Sequence, residues 1–224
     1  MNEERRLPMV LAITGASGAV YAARLLETLI LAGVKVHLVV SESGRAVIRH
    51  ELRVDLQEDA SDWQEMIRAG RRLLQLPAEP EQAPRPPADL VHSHRCDDYF
   101  TPIASGSYLT RGMVICPCSG ATLAGIAHAA SANLVQRAAE VHLKERRKLI
   151  LVPRETPVST LQLENQLRLS QAGAVLLPAA PGWYHGVRDL RDLVDFIVAR
   201  VMDQLNIDHH QIRRWGSEET EEDA

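Results

Sequence analysis

Apolar residues gather in five short runs: Met9 to Ile13, Val34 to Ser41, Met113 to Ser119, Leu149 to Arg154 and Ala174 to Pro178. Each is rich in β-branched or aliphatic side chains, and apart from Lys35 and His37 in the second they run without polar alternation, which is how strands buried on both faces read. Between them the period changes to 3.6. Val20, Leu25, Leu26 and Leu29 share one side of a helix that opens after Gly18. Further helices are predicted from Glu42 to Leu52 with Ser41 as N-cap, and around Asp62 to Leu76. Others run from Leu123 to about Ala130, from an Asn133 cap through Arg147, and from Pro157 through Ala172. The last spans Leu190 to Leu205, where Leu190, Leu193, Val194, Ile197, Val198, Val201, Met202 and Leu205 form one stripe. Strands alternating with helices predict a three-layer α/β fold with a mostly parallel sheet.

From Asp55 to Arg95 this rhythm fails. Pro77 to Pro87 holds five prolines in eleven residues, a composition foreign to helix interiors and central strands. It reads as a surface excursion within a single domain over residues 1–208. Residues 209–224, acidic from Glu218 onward, read as a disordered tail. At 224 residues and 46% hydrophobic, the chain suffices for one α/β core. Its net charge of −4 argues against a general nucleic-acid surface. No apolar run approaches the roughly 20 residues that span a bilayer, and the N-terminus lacks the apolar core of a signal peptide. A cytoplasmic protein that binds neither nucleic acid nor membrane is expected. Three cysteines do not make a disulfide framework.

Chemistry-bearing residues lie at the strand ends. The first run closes on Thr14-Gly15-Ala16-Ser17-Gly18, a small-residue turn before a helix whose first amides lack internal partners. An anion suits that spot. The full dinucleotide fingerprint is absent, and the second strand ends in Ser41 rather than an acidic residue. A mononucleotide phosphate such as that of FMN therefore fits better than NAD. A second turn, Ser119-Gly120-Ala121-Thr122, follows the third run, and Arg154-Glu155-Thr156-Pro157 follows the fourth. A parallel sheet brings such ends to one edge. Arg137, Glu140, Lys144 and Lys148 recur at spacings that place them on one helix face. With Arg154 and Arg200, the cations among them form a set able to hold more than one phosphate; a solvated helix face has the same pattern. His92-x-His94-x-Cys96 falls in the irregular stretch without a fourth ligand, so no metal is expected. Cys116 and Cys118 read as buried inert thiols, and His128, His142 and His185 as ordinary helix or loop residues.

Seven blocks, in order, carry a resemblance. They are Ile-Thr-Gly-Ala-Ser-Gly-Ala (13–19), Ile-Ala-Ser-Gly-Ser (103–107), Pro-Cys-Ser (117–119) and Arg-Ala-Ala-Glu-Val-x-Leu-Lys-Glu-Arg-Arg (137–147). Pro-Arg-Glu-Thr-Pro (153–157), Trp-Tyr-His (183–185) and Arg-Val-x-Asp-Gln-Leu (200–205) complete the series. Over most of residues 10–208 the chain resembles the UbiX-type flavin prenyltransferases, once described as aromatic-acid decarboxylases. The resemblance implies a Rossmann-like, flavodoxin-related fold and a homo-oligomer, usually a dodecamer, with FMN at subunit contacts. It implies a metal-independent reaction in which dimethylallyl phosphate prenylates reduced FMN at N5 and C6. Prenylated FMN then passes to a UbiD-type decarboxylase.

Carried over by motif, Gly15, Ala16, Ser17, Ser41, Ser119, Gly120, Ala121, Thr122 and Arg154 would contact FMN. Arg137, Lys144, Tyr184 and Arg200 would bind the donor, with Lys144 and Tyr184 at the reacting end. Ser17, Glu51 and Glu155 would manage protons near flavin N5. One departure stands out: many members have Ser-Met-Lys-Thr where this chain has Ser119-Gly120-Ala121-Thr122, so a Lys is missing at Ala121. That keeps a non-catalytic FMN carrier as an alternative. A cysteine decarboxylase of the same superfamily is another, for which His50 is present but the Pro-x-Met-Asn clamp is absent.

Overall fold

A computed structural model describes residues 7–77, 89–209 and 211–212. Its strands are β1 (Met9–Ile13), β2 (Val36–Val40), β3 (Val91–His94), β4 (Gly112–Cys118), β5 (Leu149–Pro153) and β6 (Val175–Leu176). They form one parallel sheet in the order β3-β2-β1-β4-β5-β6. Its helices are α1 (Ala19–Leu31), α2 (Glu42–Leu52), α3 (Trp63–Leu73), α4 (Gly120–Ala127), α5 (Leu134–Lys144), α6 (Thr160–Gln171) and α7 (Leu190–Gln204). Leu11 and Ile13 point into a core shared with α1, α3 and α7. Val10 and Ala12, offset by one residue, point into the other core, with α4 and α5. The chain reverses direction across the sheet between β1 and β4, and such a switch point leaves a crevice at the strands' carboxyl ends.

Several boundaries differ from those read off the sequence. Val91–His94 is an edge strand paired to Val36–Val39, not part of an irregular excursion, so His92 and His94 lie on the sheet. β2 begins at Val36 rather than Val34, and β6 is two residues long. α4 starts at Gly120 because the Ser119 hydroxyl accepts the Thr122 amide, and it ends at Ala127. α5 stops at Lys144, with Glu145 as C-cap and Arg146 at φ 56°, so Lys148 leaves the shared face. Part of the Pro-rich stretch (78–88) and residues 210 and 213–224 of the tail lie outside the described residues.

Burial fixes the state of one interior histidine. His142 is 1% exposed, with Nδ1 donating to the Ala138 carbonyl at 2.7 Å and Nε2 facing the Thr110 hydroxyl at 2.8 Å. Burial pushes its pKa down to about 4. The unfolded chain, with histidine near 6.5, therefore binds a proton that the fold refuses between those values. This contribution is whole above about pH 6.5 and is lost as pH falls toward 4, on the order of 2 kcal/mol at pH 5. The urea midpoint is expected to drop across that window; a flat midpoint contradicts a neutral buried imidazole.

Candidate active site

Thr14 pins the mouth of the crevice where β1 and β4 part. Its hydroxyl donates to the Pro117 carbonyl at 2.9 Å and accepts the Ser119 amide at 2.8 Å. The next residue packs against α2 with no room for a side chain: a Cβ on Gly15 would lie 2.6 Å from both Cβ and Oγ of Ser43. Gly18, at φ 116°, takes the left-handed turn that admits the chain to α1. Gly15→Ala is expected to cost about 1–3 kcal/mol, as overpacking does, and to lower flavin affinity by displacing the turn. Denaturant unfolding and flavin titration check this; wild-type values in both contradict it.

The first amides of α1 are met by a carboxylate of the chain itself. Gly18 N donates to Glu51 Oε2 at 3.0 Å and Ala19 N donates to the same oxygen at 2.8 Å. The anion expected there from the sequence is thus supplied by α2, and the carboxylate complements the positive end of α1. Ser17 stands exposed at the turn, and its carbonyl accepts Arg154 Nε at 3.1 Å. The terminal amino groups of that guanidinium have no hydrogen-bond partner among the described residues. Ser41 and Ser119 cap α2 and α4 through their hydroxyls, and Ser119 Oγ also donates to Thr122 Oγ1 at 3.0 Å. Beside Ser41 opens a cavity of about 580 Å³ lined by Val40, Ser43, Arg45, Cys96 and Asn133. Glu155 Oε2 accepts from Gln162 Nε2 at 3.1 Å. Orphaned guanidinium donors, hydroxyls at helix starts and an adjoining cavity fit the phosphate and ring carbonyls of FMN.

The expected donor-binding residues lie elsewhere in the chain. Lys144, at the last turn of α5, pairs with Glu145 at 2.9 Å and lies against Gly106. This is the edge where β5 begins, one strand length, about 16 Å, from the edge where Arg154 follows β5. Arg137 lies two turns earlier on α5, its Nε donating to the Ala104 carbonyl at 3.2 Å. Arg200, near the end of α7, pairs with Asp203 at 2.9 Å. Tyr184 packs edge-on against Phe196, one turn before Arg200, with ring centroids 5.8 Å apart. The structure therefore joins Ser17, Glu51, Ser119, Thr122 and Arg154 around the switch point, and leaves Lys144 at the opposite edge.

Two residues of this region escaped the sequence reading. The sequence marks Thr14 only as part of the turn, although a hydroxyl at a switch point is suited to bridging two strands. Gln162 had a legible signal: Ser159-x-x-Gln162 is a capping box, with Ser159 accepting the Gln162 amide and donating its own amide to the Gln162 side chain.

Residues 1–202 match the Flavoprotein family, and the chain belongs to it: an α/β flavoprotein with its crevice at the β1–β4 switch point. Within that family its relatives are more particular. The flavin prenyltransferase UbiX of Halalkalibacterium halodurans is 46% identical over 92% of each chain. The crystal structure of AnUbiX (PadA1) in complex with FMN and dimethylallyl pyrophosphate is 36% identical, with a TM-score of 0.77 over 96% of this chain and 100% of that one. A dodecameric FMN-dependent UbiX-like decarboxylase from Escherichia coli O157:H7 is 36% identical, with a TM-score of 0.76 over 94% of this chain and 100% of that one. The chain is a member of the UbiX flavin prenyltransferases.

Proposed function

We propose that this chain transfers the dimethylallyl unit of a dimethylallyl phosphate to N5 and C6 of reduced FMN. The observation that carries the flavin site is Arg154, anchored by Nε on the Ser17 carbonyl with its remaining donors unpartnered at the switch point. Gly15 to Ser17, Ser41, the Ser119-Gly120-Ala121-Thr122 turn and Arg154 hold FMN, with Ala121 contributing only backbone. Reduced FMN, when bound, supplies two electron-rich ring positions for the allylic carbons. The protein's task is to remove the leaving group and the protons. Lys144, Arg200 and Arg137 surround the departing phosphate oxygens and neutralise the charge that the breaking C–O bond leaves on them. Trp183 and Tyr184 offer π-faces to the electron-poor allyl fragment. Glu155, whose Oε2 is held by Gln162, keeps Oε1 to receive a proton from flavin N5; Ser17 and Glu51 complete that path.

A single chain separates the flavin crevice from Lys144, so the working site is assembled between copies. Leu161, Leu163 and Leu167 stand exposed on α6, where Leu169 alone is buried among the described residues, and Phe100 is wholly exposed. Such apolar surface on a member of this family supports a homo-oligomer, and a dodecamer like the E. coli neighbour is the proposed form. Among the described residues no helix is long and apolar enough to cross a membrane; we place the protein in the cytoplasm, handing its product to a UbiD-type decarboxylase.

Donor turnover tests this reading. Reduced FMN should trigger release of inorganic phosphate from dimethylallyl phosphate or of pyrophosphate from the diphosphate, and the preferred of the two fixes the donor. A carrier subunit would release neither.

A further inference from the structure

His37 lies on the face of β2 that it shares with Val39, the face covered by α5. It is 5% exposed and joins two partners: its Nε2 is 2.9 Å from the Tyr108 hydroxyl and its Nδ1 is 2.7 Å from His94 Nε2. The His37 and His94 rings stack with centroids 5.0 Å apart, His92 stacks at 5.6 Å, and Tyr108 meets His37 edge-on at 5.3 Å. Among the described residues no group of three or more His, Cys, Asp or Glu is placed to hold a metal, so this is a hydrogen-bonded chain ending on a tyrosine.

Tyr108 belongs to the 104–108 loop, which Arg137 of α5 and Arg147 just beyond its end hold from the other side. Arg147 donates to the Tyr108 carbonyl at 2.7 Å and also to the Gly106 carbonyl, and Arg137 donates to the Ala104 carbonyl. Gly106 packs against the Lys144–Glu145 pair: a Cβ there would meet the Glu145 carboxylate first and then the Lys144 Nζ at 3.1 Å. A shift of Tyr108 therefore reaches the backbone that packs against the Lys144–Glu145 pair.

We propose that Tyr108 and His37 are positioning residues for Lys144, acting through the 104–108 loop, and that acid loosens this anchorage. The proposal rests on reading Lys144 as a donor-phosphate cation. Two of these imidazoles, His37 and His94, are best accommodated neutral, because a charge on either meets burial and its stacked neighbours; His92 stands exposed at the sheet edge. Burial first, then His94 and His92, push His37 down to about 4, and burial and His92 lower His94 while Asp98 opposes them. From α5 the residues packed on this core are apolar, Leu134, Val135, Ala138 and Ala139, and the nearby cations Arg137 and Arg147 are committed to the loop carbonyls. Acid thus favours conformations that open the histidines to water and release the phenol.

The test titrates dimethylallyl phosphate into FMN-loaded protein at pH 7.5 and 5.5, for wild type, Tyr108→Phe and Lys144→Ala. Tyr108→Phe keeps the ring and removes the anchor. It should weaken the donor about fivefold at pH 7.5, the equivalent of one net hydrogen bond, with FMN affinity unchanged. Wild type should then lose more donor affinity on acidification than Tyr108→Phe, since the phosphate's own titration is common to both. Amide exchange at residues 106–108, corrected for intrinsic rate, should quicken in Tyr108→Phe and in wild type at pH 5.5. Wild-type donor affinity, pH response and exchange in Tyr108→Phe, beside a weakened Lys144→Ala, overturn the positioning role alone. Unchanged donor affinity in Lys144→Ala overturns the phosphate assignment and this inference with it.

Discussion

Lys144→Ala and Arg200→Ala are each expected to weaken the prenyl donor about 100-fold while FMN stays bound, the loss of a charge-assisted contact worth about 2–3 kcal/mol. The expectation is clean because neither residue supports the fold. The Lys144 side chain is 55% exposed in its pair with Glu145, and that of Arg200 is 46% exposed in its pair with Asp203. Exposed pairs of this kind contribute little to stability, so the variants should fold and melt as wild type does. Their cations can then be weighed by donor titration against flavin binding, proposed for the residues that gather at the other edge of the sheet. Wild-type donor affinity in both variants would remove the α5 and α7 cations from the site and return phosphate binding to Arg154.

The opposite behaviour is expected of Asp195→Ala. Asp195, 5% exposed, accepts from Arg24 Nε at 2.7 Å and from Nη2 of the same guanidinium at 3.2 Å. Arg24 also reaches Glu27 at 2.8 Å, and Arg71 closes on Glu27 from α3. This network stitches α1 to α7 and α3. Burial raises the pKa of Asp195 and Arg24 opposes it, the balance of a carboxylate that stays charged only through its partner. Removing it leaves part of a buried guanidinium uncompensated, at about 3 kcal/mol, or a fall in Tm of about 10 °C for a chain of this length. Asp55→Ala, which breaks the exposed pair with Arg49, should stay within about 0.5 kcal/mol. Equal losses in the two variants would contradict the account of the network.

What the sequence revealed follows from which forces are local. The start of α2 was legible because apolar period and a side-chain cap coincide at Ser41, and the start of α1 because the apolar period opens directly after the glycine turn at Gly18. β3 was not: Val-His-Ser-His carries one apolar residue, and an edge strand paired only to β2 needs no more. The start of α4 was missed because Gly120-Ala121-Thr122 has turn composition, whereas the Ser119 cap makes it a first helical turn. That the turns after β1, β4 and β5 gather at one crevice was readable, since parallel topology brings strand ends together. The position of the cations was not, because helical spacing says that Arg137 and Lys144 share a face, not which edge of the sheet Lys144 reaches. Nor does spacing show that Glu51 would fill the α1 amides.

The central claim is that this chain prenylates flavin, and mass spectrometry of flavin extracted after anaerobic incubation with reduced FMN and dimethylallyl phosphate tests it most directly. The account predicts a flavin heavier by one C5H8 unit. Unmodified FMN, bound and recovered intact with either phosphate donor, would contradict it.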